Sequence, residues 1–145
     1  MNLRLLGTSL LLNILAAGTV HGADVLLETQ TSWDGGAIAY PPGKAQVTAV
    51  MLRIDPDKEP PFHCHPVPTT GYLLRGTVEV ETENGDKILL EPGTALVEVM
   101  NTMHRGRAIG GPAEIVVFYA GAEGIPTTVL PGSDEAEQWP CGDGH

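Results

Sequence analysis

Cations are scarce in this 145-residue sequence: eight Lys and Arg stand against 18 Asp and Glu, for a formal net charge of −10. A surface of that sign repels nucleic-acid phosphates and anionic lipid headgroups, which excludes both as natural partners and leaves a small molecule or a cation. Helical patterning is missing too. After residue 23 no stretch keeps an apolar period of about 3.6 residues for three turns, so a helical bundle is excluded. There is no low-complexity tract and no internal repeat. Cysteine is limited to Cys64 and Cys141.

What is present describes one turn-rich domain. The length suits a single core, and 42% hydrophobic residues interrupted by 18 Gly and 12 Pro favour many short strands. The N-terminus reads differently from the rest. Arg4 is the sole charged residue before Asp24, Leu5 to Ala17 is largely apolar, and Val20-His21-Gly22-Ala23 offers small residues for cleavage. This is the pattern of a secretory signal peptide over residues 1–23, with an uncleaved anchor as the alternative. Removing it takes the formal charge from −10 to −11. The expected product is periplasmic or secreted, has no membrane contact after cleavage, and consists of a domain over 24–130 and an exposed, flexible, acidic tail over 131–145.

Along the mature chain the turn signals fall about every ten residues. Gln46 to Ile54 alternates apolar and polar residues, as does Val78 to Glu81 after a break at Arg75-Gly76. Asn84-Gly85 is a strong hairpin signal that returns the chain through Lys87 to Leu90. Ala95 to Met100 and the β-branched, aromatic run from Ala113 to Gly121 complete the set, the latter as a central strand. Short pieces over 24–46 read as edge strands. The spacing predicts an antiparallel all-β sandwich or barrel.

Chemistry concentrates at His63-Cys64-His65. Residues two apart in extended chain share a face, so both imidazoles can bind one metal ion while Cys64 points away from it. His104 is the third candidate. Three neutral imidazoles suit Fe, Zn, Cu or Ni, and a set left open by protein ligands is of the catalytic kind. Glu98, on the strand leading to His104, is the candidate carboxylate; alternation leaves open whether it faces an ion or solvent. Arg75, Arg105 and Arg107 offer either a clamp for an anionic ligand or surface pairing with the abundant carboxylates. Oxidising surroundings would permit a Cys64–Cys141 disulfide, but the expectation is a small buried Cys64 and an unrelated tail cysteine.

These residues resemble the cupin family, whose two motifs are written G-x5-H-x-H-x3,4-E-x6-G and G-x5-P-x-G-x2-H-x3-N. His63, His65 and Gly76 meet the first and Gly93 and His104 the second, with Asp57, Val99, Asn101 and Ala108 as departures. Asn101 replaces a turn glycine, and Asn accepts a left-handed backbone better than most residues. Thr69 stands where the family has its metal-binding Glu. The resemblance implies a cupin-type jelly roll, a divalent transition metal ion (Fe, Zn, Cu, Ni or Mn) held by His63, His65 and His104, and Thr69 beside it as a hydroxyl that orients water or substrate. Three-His sites without the glutamate occur in the superfamily, among them cysteine dioxygenase and gentisate dioxygenase.

Together these readings give an exported metal-binding homodimer that takes a small organic molecule into its barrel. Oxygenase, isomerase and lyase chemistry all remain open, and the alternative is a non-catalytic module that holds a metal or small ligand.

Overall fold

The structure, a computed structural model, describes residues 22–142. The expected signal peptide lies outside the described residues up to position 21, as does His145. Seven strands and one short helix follow in order: β1 (Ala45–Ile54), β2 (Thr69–Arg75), β3 (Val78–Thr82), β4 (Lys87–Leu90), β5 (Ala95–Val97), β6 (His104–Ala108), β7 (Ala113–Ala122) and α1 (Asp134–Gln138). One sheet runs β1-β7-β2-β5 and the other β4-β3-β6, with every ladder antiparallel. The antiparallel all-β architecture expected from the spacing is observed, in the jelly-roll form that the resemblance implied.

Period-2 alternation decides which side chains enter the space between the sheets. Thr69, Gly71 and Leu73 of β2, Val78 and Val80 of β3, and Ile115, Val117 and Tyr119 of β7 all turn inward. They meet Leu90, Leu96, Ala108 and Ala113 in one apolar cluster. Each aliphatic side chain buried there contributes roughly 1.5–3 kcal/mol over exposure.

Two backbone positions hold the strands in register. Gly76 has φ +79°, and a Cβ there would stand 2.6 Å from the Pro112 carbonyl oxygen, so no other residue fits the turn between β2 and β3. Asn101 adopts φ 54°, the left-handed backbone its replacement of a turn glycine requires.

Three expectations need correction. The strand foreseen over 95–100 ends at Val97, because the chain leaves the ladder to bring Met100 and Asn101 against His65. Residues 24–44 form a single Thr31–Ala37 bridge in place of edge strands. Cys64 and Cys141 are joined by a disulfide, with Cα atoms 6.0 Å apart. The segment between Gly124 and Cys141 returns along the barrel, pairing Val129 with Cys64 through two backbone hydrogen bonds of 2.9 and 3.0 Å and forming α1 on the way. Sequence distance concealed that return.

Candidate metal centre

His63, Cys64 and His65 do not sit in a long strand. Each makes a single bridge to a different partner: His63 to His104, Cys64 to Val129, His65 to Met100. The segment is nevertheless extended, so the two imidazoles project to one side and the sulfur to the other. His63 and His104 exchange both backbone hydrogen bonds, at 2.9 and 2.8 Å, which places the start of β6 directly opposite the His-x-His segment. One ring nitrogen from each of the three histidines lies within 4.8 Å of the other two. The ring centroids are 4.7–5.0 Å apart.

The other ring nitrogen is held from behind in every case. Nδ1–H of His63 donates to the Pro61 carbonyl (3.1 Å), that of His65 to Thr127 (2.7 Å) and that of His104 to Thr102 (2.8 Å). A carbonyl can only accept, so Nδ1 carries the proton in all three rings and Nε2 is the atom turned to the common point. This is the way proteins orient imidazoles that bind metals.

Glu98 faces the same point, although nothing in the sequence specified its direction. Its Oε2 lies 2.7 Å from Nε2 of His104 and 3.4 Å from Nε2 of His65. Glu98 therefore faces the histidines and not solvent, the question that alternation left open; its side chain is 13% exposed. The cause is cross-strand register. Thr70 pairs with Val97, and the Glu98 amide donates to the Thr69 carbonyl at 2.8 Å, so Thr69 and Glu98 are direct neighbours across the β2–β5 edge. Residues opposed in an antiparallel pair share a face. The carboxylate absent at Thr69 is thus supplied from the adjacent strand, one position sideways. Thr69 itself is fully buried and its hydroxyl donates to the Val67 carbonyl (3.0 Å), so it is committed to its own turn and not to an ion.

Burial and charge set the protonation states. Desolvation, reinforced by repulsion from His104 and His65, lowers the His63 pKa to about 4, so this ring is neutral at physiological pH. Burial alone would raise the Glu98 carboxyl, but hydrogen bonds from His104 and His65 hold it well below the usual carboxylate range. Burial likewise pulls the His104 pKa down, and the hydrogen bond and charge of Glu98 more than reverse it. A cation at the three Nε2 atoms would replace the proton that His104 shares with Glu98. Three fixed imidazoles and one ionised carboxylate fit a divalent transition metal with coordination positions to spare.

Those positions open on a cavity of about 480 Å³ between the sheets, walled by Ile54, Val78, Val80, Ile115 and Val117 and bordered by His63, His65, Glu98 and Tyr119. Tyr119 stands opposite Thr69 in the ladder, its ring 5.4 Å from that of His65. Burial raises its pKa, so it remains a neutral phenol.

The arginines do not form a clamp. Arg105 pairs with Glu81 and with Glu59 at the cavity mouth (both 2.6 Å), Arg107 with Glu79 (2.6 Å) and Arg75 with Glu114 (2.7 Å). Arg105 also lies 4.4 Å over the Phe62 ring, steadying the approach to His63.

Comparison with known proteins agrees with this architecture. Residues 50–119 match the family model described as Cupin domain. Among solved structures, a DMSP lyase chain superposes with TM-score 0.51 at 18% identity, over 58% of this chain and 43% of the other. Lactobacillus farciminis oxalate decarboxylase in its formate complex gives 0.50 at 19% identity, over 59% and 26%. A Bacillus subtilis oxalate decarboxylase variant gives 0.51 at 14% identity, over 59% and 24%. The chain therefore spans less than half the length of these neighbours, and at such identities the likeness shows the fold alone. No curated protein matches the chain.

Proposed function

From a cupin fold with three imidazoles converging on one point, we propose that this chain binds one divalent transition metal ion through Nε2 of His63, His65 and His104, with Glu98 completing the donor set, and uses it on a small organic molecule in the adjoining cavity. The observation that carries this reading is the trio of Nδ1–H bonds to backbone carbonyls. With Nδ1 held by the backbone, all three rings turn Nε2 to a shared centre, where Glu98 Oε2 meets His104 at 2.7 Å and His65 at 3.4 Å. The bound ion would supply Lewis acidity toward an oxygen donor. The chain's part is to fix the donors, shape an apolar chamber that excludes water, and hold Tyr119 protonated on its wall. A cavity meeting the open positions favours action on a substrate over metal storage.

Elemental analysis tests the metal directly. Wild-type protein should carry about one ion per chain, and His63→Ala, His65→Ala and His104→Ala should each carry none. Wild-type protein that stays empty after incubation with Fe, Zn, Cu, Ni and Mn would overturn the reading.

Export and self-association belong to the same proposal. A disulfide persists in oxidising compartments, which is consistent with the signal-peptide pattern of the N-terminus; the protein recovered from its own compartment should begin near Ala23 or Asp24. β1 is an edge strand with Val47 71% exposed and Met51 42% exposed, and its outer rim of backbone groups faces away from β7. A second copy of the chain covers that rim in a homodimer. Light scattering that gives the monomer mass at micromolar concentration would refute it.

A further inference from the structure

The cavity beside the donors selects against charge. Its wall is aliphatic, and the cations bordering it, Arg53 and Lys58, are turned to water: their side chains are 74% and 81% exposed. Both already have partners, Arg53 in Glu114 at 3.1 Å and Lys58 in Asp55 at 3.7 Å. Asp55 and Glu59 at the mouth are each paired, with Lys58 at 3.7 Å and with Arg105 at 2.6 Å, and the carboxylate inside is Glu98. Arg105 is committed to Glu59 at the mouth and to Glu81, and Arg75 and Arg107 are committed to glutamates elsewhere. A dianion entering this chamber would surrender its hydration to apolar walls and, apart from the ion itself, meet no free guanidinium to receive it. An uncharged body loses nothing comparable and gains from burying apolar area. The volume, about 480 Å³, lies in the lower half of the roughly 300–1,000 Å³ usual for small-ligand sites.

Resting on the metal reading above, we propose that the ligand is an uncharged small molecule with an apolar body and a single oxygen-donor head of the phenol or enol class, the head directed at the ion and the body lying along Val78, Val80, Ile115 and Val117. Gly106 is the position that makes room for the body. It lies opposite Val80 in the β3–β6 ladder, borders the cavity, and a Cβ placed there would come 3.4 Å from Val78 and 3.8 Å from Val80. A larger side chain would therefore fill the chamber without reaching the donors.

The test uses full-length mature protein loaded with cobalt(II), titrated by calorimetry and visible absorption with para-ethylphenol and, separately, with oxalate. The phenol should bind at least about tenfold more tightly than oxalate and shift the cobalt bands, as expected of a head that reaches the ion. Gly106→Val should retain about one cobalt per chain and lose about tenfold in phenol affinity. Oxalate binding as tightly as the phenol, or phenol binding unchanged in Gly106→Val, would overturn the proposal. A failure of the metal reading looks different: no cobalt loads at all. In that case phenol binding by the metal-free protein, blocked by Gly106→Val, still upholds the apolar chamber, and the absence of phenol binding removes it.

Discussion

Consecutive residues of β6, His104 and Arg105, belong to two charge clusters that differ in kind. On the outer face of the β4-β3-β6 sheet, Glu59, Glu79 and Glu81 meet Lys87, Arg105 and Arg107, three carboxylates against three cations at 2.6–3.2 Å. Every charge there has its opposite, and water completes the rest. On the inner face one carboxylate, Glu98, stands among three imidazoles whose Nδ1 atoms are already engaged. Charge density is greater outside. What distinguishes the inner cluster is the convergence of three ring nitrogens and one carboxylate on a common point, each ring held from behind by a backbone carbonyl.

The sharpest way to break this comparison is to mutate the two neighbours separately. His104→Ala should drop metal content from about one ion per chain to none, because two imidazoles and a carboxylate bind far more weakly than the full set. Arg105→Ala should leave metal content unchanged, since its partners are Glu59 and Glu81 and not the histidines. Equal loss from both would dissolve the distinction between the faces.

The next effect comes from behind the inner face, where the disulfide ties the tail to the residue between His63 and His65. Cys64 and Cys141 are 77 positions apart, and closing a loop of that size in the unfolded chain is worth about 4 kcal/mol. Cys141→Ser should lose stability of that order in urea denaturation. It should also lower metal affinity, because Thr127 and Thr128, which lie beside His65 Nδ1 at 2.7 and 3.4 Å, belong to the segment the disulfide secures. Unchanged affinity would limit the disulfide to a purely stabilising role.

A smaller effect tests where the carboxylate has gone. Glu98→Gln should weaken metal binding by about 10- to 100-fold, the range typical of groups that tune a metal site. Adding Thr69→Glu should restore part of that loss, because positions 69 and 98 are opposed across β2 and β5 and face the same way. Failure of the second change to recover any affinity would show that the two positions are not interchangeable.

Acid should separate the clusters with the smallest signal. Hydrogen bonds from Lys87 and Arg105 lower the Glu81 pKa from 4.5 to about 2. A depressed carboxylate contributes stability that is fully present above its unfolded value and is lost as pH falls through the folded one. Glu81→Gln should therefore lower the denaturation midpoint at neutral pH, and the gap to wild type should close as pH falls from about 4.5 to about 2. Moderate salt should shrink the difference further, as it does for solvent-exposed pairs.

Much of this molecule is legible in the order of its residues. β4 over Lys87–Leu90 follows from Asn84-Gly85 and the alternation on either side, and β7 as an inner strand follows from its β-branched run. His63 and His65 lie on one side of their segment and Cys64 on the other because extended backbone fixes that alternation within three residues. The convergence of His104 on them is implied by motif spacing in a known family rather than by any local rule. Three other features arise only when strands choose partners. Glu98 faces the centre because of its register against Thr69, Arg105 and Arg107 are neutralised by glutamates on β3, and Cys141 reaches Cys64 after the chain has run 77 residues further. Backbone geometry propagates over a few residues, so the sequence by itself determines the strands, the turns and the shared face of the first two histidines. Pairing across a sheet and closing a long loop depend on the whole packed core, and so the placement of Glu98 beside the histidines, the silent arginines and the disulfide were decided by tertiary structure alone.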